Sequence, residues 1–278
     1  MRTSPRVAVL GSDVARSATL RLQRIAQAAL ELAGTCVAIE CDEEGLAPVV
    51  TSLDPCHWTA FVLLPPLERA VVALLDDVTP VARALARVDT VTFADGRWRG
   101  ENTRAQGIAD AARRAGVRGV RRAVVLGAGD GACVALAALR SLGPDHVDLV
   151  MTRPAEHAAE RAVAHSLAMG LRTHPSGALA VVLRTADILV SALPPAEAAP
   201  YSALIARSGV VVLDLARLAE GRTRLVRAVA FAGGTVIDGL EPLLQRTVRQ
   251  AELLTGRPGL TVEALRAAVP RALAGAEA

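Results

Sequence analysis

The chain has 278 residues, 52% of them hydrophobic, with 31 basic against 28 acidic side chains, a net charge of +3 and a mean hydropathy of +0.36. Such a composition can bury one large core or two, and three Phe, two Trp and one Tyr among scattered arginines argue against a nucleic-acid surface. No apolar run reaches the ~18 residues of a membrane span, and Met1 to Arg6 lead straight into a strand, so no membrane partner and a cytoplasmic location are expected.

Val7 to Leu10 forms an apolar run closed by Gly11. After Ser17, Leu20, Leu22, Ile25, Ala26, Ala29, Leu30 and Leu32 recur at helical spacing. Cys36 to Glu40 alternates as a strand, Leu46 to Leu53 suits a helix, and Phe61 to Leu64 is a buried strand stopped by Pro65 and Pro66. Helices are predicted from Leu67 to about Leu75 and from Thr79 to Ala86. Thr90 to Phe93 and Arg97 to Arg99 are strands joined across Asp95-Gly96, a favoured hairpin turn.

From Asn102 a helix runs through Gly107 to Ala115 and leads into the stretch Ala123 to Leu139. Four apolar residues, a turn holding Gly127, Gly129 and Gly131, and an Ala/Leu run read there as strand, tight turn and helix. In such a turn the backbone can approach a pyrophosphate, which sits on the free N–H groups of the helix N-terminus. Beyond it come Val147 to Met151, a helix from Ala155 to Met169, and strands at Ile188 to Ala192, Val210 to Leu213 and Val236-Ile237. This alternation predicts an α/β fold with a Rossmann-type, doubly wound parallel sheet. The last helices, about Pro242 to Leu254 and Val262 to Leu273, are expected to return to the first domain. The predicted division is residues 1–103 with 241–278 as the substrate domain and 104–240 as the nucleotide domain. The four cysteines, Cys36, Cys41, Cys56 and Cys133, lack metal-ligand spacing and read as buried free thiols, so no metal is expected.

At the tip of the second nucleotide-domain strand, Thr152-Arg153-Pro154 contains no acid to receive ribose hydroxyls. Arg153 offers a planar fork for a phosphate, with His157 a turn further on, so NADP is favoured over NAD. The competing reading of Arg153 is an ordinary solvated arginine.

At this point the chain resembles the shikimate dehydrogenase family nearly end to end. Gly11 to Gln23 is similar to the family's Gly-x-Pro-Ile-x-His-Ser-x-Ser-Pro signature, with Ser17 and Thr19 at the two hydroxyls that hold the substrate carboxylate. Gly127, Ala128, Gly129, Asp130, Gly131 and Ala132 resemble its Gly-Ala-Gly-Gly-Ala turn, and Thr152-Arg153-Pro154 its Asn-Arg-Thr phosphate clamp. Gly239-Leu240 and the following glutamine-containing helix resemble its C-terminal segment. The resemblance implies two domains with the active site in the cleft between them, a monomer or homodimer, and hydride passing from NADPH to a ring ketone. Ala192 and Leu193 are then expected beside the cofactor.

Departures fall on the chemistry. Glu68 stands where the family has a catalytic lysine, Leu64 where it has a threonine, and Arg104 where it has the partnering aspartate. All 31 basic residues are arginine, so no neighbouring lysine can substitute, and arginine cannot relay a proton. The two changes are reciprocal, so Glu68 and Arg104 can form an ion pair of inverted polarity; the alternative is that both are solvated. Asp89 stands at a family asparagine, Arg217 at a tyrosine and Arg246 at a glutamine, with Gln245 adjacent. Arg104, Arg217 and Arg246 suit a small anionic substrate other than shikimate, with Glu68 or Asp89 as the remaining proton carriers. The alternative is a catalytically silent NADP-binding paralogue with a regulatory or binding role.

Overall fold

Two separate six-stranded sheets organise the chain, which divides into one unit of Met1–Arg104 with Leu244–Ala278 and a second of Ala105–Leu243. The computed structural model describes residues 6–31, 34–54, 57–153, 157–217, 221–256 and 258–273. Leu32, Cys56, Pro154 and Ala155, named above, lie outside the described residues.

In the first unit the strands are β1 (Arg6–Gly11), β2 (Thr35–Glu40), β3 (Ala60–Leu63), β4 (Asp77–Val78), β5 (Thr90–Ala94) and β6 (Arg97–Glu101), in the order β2-β1-β3-β5-β6-β4. β1 runs parallel to β2 and β3, β5 is antiparallel to β3 and β6, and β4 is parallel to β6. The two apolar runs Val7 to Leu10 and Ala60 to Leu63 are fully buried, as central strands covered on both faces must be. Their side chains part at period two: Ala8, Leu10, Phe61 and Leu63 enter one core with Leu67 and Val71, while Val7, Val9, Ala60 and Val62 enter another with Leu20 and Leu254. Leu254 belongs to the C-terminal helix Leu240–Thr255, and the final helix Val262–Leu273 packs on Ala18–Ala29. The C-terminal helices therefore complete the first unit's core.

The second unit holds β7 (Ala123–Leu126), β8 (His146–Met151), β9 (Gly170–Pro175), β10 (Ile188–Ser191), β11 (Val211–Asp214) and β12 (Val236–Ile237). All pair in parallel, in the order β12-β11-β10-β7-β8-β9. Counted from β7 this is the 3-2-1-4-5-6 order of a doubly wound Rossmann sheet, whose reversal point lies between β7 and β10.

Several elements were not legible in advance. β4 is a two-residue edge strand, and β9 is an edge strand, mostly partly or fully exposed, whose Arg, Thr and His give no apolar run. Leu179–Leu183, Pro195–Ala198 and Ser202–Ala206 are helices too short to display a 3.6-residue period, and Arg224–Phe231 is a further helix outside the predicted elements. The helix predicted from Leu67 to about Leu75 is α-helical only to Ala70 and tightens to a 3-10 turn over Val71–Leu74. Cys36, Cys41 and Cys133 are buried free thiols.

Candidate active site

Glu68 enters the first unit's core because Leu67 is wholly buried at the head of the short helix Leu67–Ala70, whose Leu67 N–H closes on the Leu64 carbonyl at 3.0 Å. The Glu68 carbonyl also accepts the Val88 N–H at 2.8 Å, tying the helix to the approach of β5. Its carboxylate is only 1% exposed and its Oε2 has no hydrogen-bond partner, yet two guanidinium groups stand close: Arg104 Nη1 at 3.5 Å and Arg87 Nη1 at 3.6 Å. Burial pushes its pKa above the ordinary carboxylate range, opposed first by Arg104 and then by Arg246, with Asp89 adding to the rise and Arg87 opposing it. Arg104 is 34% exposed while Arg87 is nearly enclosed, so one of the two cations facing Glu68 also meets solvent.

Asp89 is fully buried where β3, β5 and β6 meet. Its Oδ1 accepts Thr90 Oγ1 at 2.7 Å, Thr103 Oγ1 at 2.6 Å and the Thr103 N–H at 2.9 Å, and its Oδ2 accepts the Arg104 N–H at 2.9 Å. Those two N–H groups begin the helix Thr103–Arg114, so Asp89, just ahead of β5, acts as its cap. Arg246 Nε is 3.6 Å from Asp89 Oδ2, and neither Nε nor Nη2 of Arg246 makes a hydrogen bond. One helical turn beyond Arg246, buried Gln250 donates to Thr90 Oγ1 at 2.9 Å and accepts from Gln23 Nε2 at 2.7 Å. Ser17 caps the helix Ala18–Ala29 by accepting the Leu20 N–H at 3.1 Å, and both Ser17 and Thr19 are half-buried.

The first unit thus brings Glu68, Asp89, Arg104 and Arg246 together and adds Arg87, Gln23 and Gln250, which the sequence reading missed. Arg87 could have been suspected from its place two residues before Asp89, on the same approach to β5. Arg217 lies in the second unit, exposed, with its Cγ packed over Gly239, where an added Cβ would come within 2.8 Å of it.

In the second unit the chain turns directly from β7 into the eleven-residue helix Asp130–Arg140. Gly127 has φ +109° and a Cβ there would strike Leu193 at 2.9 Å, which locks the turn against the segment following β10. Gly131 similarly faces the Ala192 methyl. Gly129, at φ +86°, meets nothing within 4 Å of an added Cβ, so its backbone is open to an approaching group. Ala128 and Asp130 are exposed beside it and Ala132 is buried behind. The turn, its open second glycine and the N-terminus of a full-length helix suit a nucleotide pyrophosphate. Thr152 is half-buried at the end of β8, and Arg153, exposed, is ion-paired with Glu197. His157 caps the helix Ala158–Ser166 without a side-chain cap bond and lies 3.5 Å from Arg161 Nη1. Buried Glu160 on that helix accepts the Gly129 N–H through Oε1, a contact with no counterpart in the sequence pattern. Asp214, at the end of β11, is buried with its pKa raised by burial against the Thr223 and Ala216 donors that hold it at 2.6 and 3.2 Å. Among the described residues no group of three or more His, Cys, Asp or Glu could hold a metal, and no helix is long and apolar enough to cross a membrane.

Such a sheet, with an open glycine turn at its reversal point, is of the α/β dinucleotide-binding class, here in one chain with a mixed-sheet unit carrying a buried carboxylate among arginines. The chain belongs to the shikimate dehydrogenase family. It is 30% identical over 280 residues to the shikimate dehydrogenase (NADP(+)) of Salinibacter ruber, covering 95% of this chain and 98% of that one. The crystal structure of a shikimate 5-dehydrogenase from Mycobacterium fortuitum superposes with a TM-score of 0.85 at 33% identity, over 96% of this chain and 98% of that one. The Thermus thermophilus shikimate 5-dehydrogenase in complex with NADP(H) and shikimate matches at 27% identity and a TM-score of 0.75, over 96% and 99% of the two chains. No protein-family model matches the chain.

Proposed function

We propose that the protein is an NADP-dependent oxidoreductase of shikimate dehydrogenase type that acts on a small anionic molecule other than shikimate. The observation that carries this reading is Glu68, a buried carboxylate facing Arg104 and Arg87 at 3.5 and 3.6 Å in a chain without lysine. The unit with the mixed sheet takes the substrate, and the unit with the parallel sheet takes the nucleotide on Gly127 to Ala132, Ala192, Leu193 and Gly239. Arg153, with Thr152 and His157 beside it, receives the extra phosphate by exchanging Glu197 for it, which favours NADP over NAD.

When bound, the nicotinamide supplies or accepts a hydride. The protein must then deliver or remove a proton at the substrate oxygen, and Glu68 suits that task. Burial raises its pKa above the ordinary carboxylate range, so its carboxyl holds a proton more readily than an exposed one and can give it as well as take it. Asp89 is the poorer candidate, because its two oxygens already accept four hydrogen bonds and hold a helix end. It serves as a positioning group. Arg104 and Arg246 carry positive charge beside the same carboxylates, and with Arg87 the cluster holds three cations against Glu68 and Asp89, an excess that favours an anionic ligand. Ser17 and Thr19 hold the substrate carboxylate.

The test is NADPH oxidation with 3-dehydroshikimate beside a panel of small keto acids bearing a second carboxylate or a phosphate. Turnover of a panel member and none of 3-dehydroshikimate is expected. Efficient turnover of 3-dehydroshikimate would refute the altered specificity, and NADPH binding without any turnover would return the silent-paralogue reading.

A further inference from the structure

The glycine turn already holds an anion of the protein's own. Glu160, 2% exposed on the helix Ala158–Ser166, hydrogen-bonds through Oε1 to the N–H of Gly129, the open second glycine at the head of the helix Asp130–Arg140. That N–H is among the donors a pyrophosphate oxygen needs, and apart from its chain neighbours nothing lies within 4 Å of an added Gly129 Cβ, so the turn is open on that side. Exposed Asp130 adds a second acid at the same helix start, but solvent screens it. Glu160 is enclosed, so its charge acts on the turn with little screening. Val163 and Ala164 on the same helix are buried, the ordinary occupants of this face, so the position does not demand a carboxylate for packing.

We infer that Glu160 is a built-in competitor for the nucleotide's pyrophosphate: it occupies the Gly129 N–H and must release it when the dinucleotide docks, which holds affinity for NADPH and NADH alike below what the turn could reach. This rests on the reading of the turn as a nucleotide site. The whole chain is titrated with NADPH and with NADH, followed by nicotinamide fluorescence and by calorimetry, for wild type, Glu160→Gln and Glu160→Leu. The amide is close in shape, and the leucine keeps the helix face apolar should the amide variant fold poorly.

Both nucleotides are expected to bind at least about fivefold tighter to the variants, as removal of one enclosed like charge implies. Unchanged or weaker binding overturns the inference, and so does tightening confined to NADPH, which would place the carboxylate against the 2′-phosphate. If wild type binds and the variants bind no better, only this inference falls. If folded wild type and variants bind neither nucleotide, the reading of the turn falls with it.

Discussion

Glu68 sits between opposing influences. Removal from water penalises its charged form, while Arg104, Arg246 and Arg87 favour it, and burial wins. A carboxyl with a raised folded pKa stays protonated while the unfolded chain ionises. Its contribution to stability is therefore full below the ordinary carboxylate range and is lost as pH rises through the folded value. Measured by chemical denaturation, the stability of Glu68→Gln relative to wild type should move in the variant's favour from pH 4 toward pH 8. The opposite slope would mean that the arginines outweigh burial. In the oxidoreductase assay the same variant should lose about 10²- to 10⁴-fold in kcat, the usual contribution of a positioned acid or base, with nucleotide affinity unchanged.

Asp89 shows how one side chain governs an element. Its carboxylate ties the start of the helix Thr103–Arg114 to β5 through bonds to Thr90 and Thr103 and to the N–H of Arg104. Asp89→Ala would leave those buried donors unpaired and Arg246 without its paired carboxylate, a loss of about 3–5 kcal/mol of stability. Thermal unfolding should register it, and Asp89→Asn should recover part of the loss by keeping an acceptor. A change within about 1 kcal/mol for the alanine variant would show that water replaces the carboxylate. In the second unit Gly127→Ala brings a methyl against Leu193 at 2.9 Å in a backbone conformation that L residues rarely adopt. It should weaken nucleotide binding at least tenfold, read by fluorescence titration, because the turn must shift to admit it.

At the scale of the whole chain, residues from both ends build the first unit. Leu254 shares a core with Val7, Val9 and Leu20, and Gln250 hydrogen-bonds Gln23 and Thr90. A chain ending at Leu243 should therefore expose that core. Hydrogen exchange is expected to show protection lost in β1 and β3 and kept in β7 and β10, whose partners all lie between Ala105 and Leu243. Retained protection in β1 would show that the C-terminal helices add little.

Long apolar runs and glycines were legible in the sequence because their physics is local. Val7 to Leu10, Phe61 to Leu63 and Val124 to Leu126 are apolar enough to be buried in any fold, and a strand running into Gly127, Gly129 and Gly131 ahead of an Ala/Leu run reads as a tight turn into a helix. Short edge strands such as β4 and β9 bury too little to leave a pattern. The charged site divides in the same way. Glu68, Asp89, Arg104 and Arg246 could be named from motif positions, but motif positions carry no distances. Only the fold decided that Arg87 stands 3.6 Å from Glu68, that Asp89 caps a helix, and that Glu160 reaches the Gly129 N–H across 31 positions of chain. Contacts of that kind join residues far apart in sequence, and a buried charge takes its character from whatever the fold sets beside it.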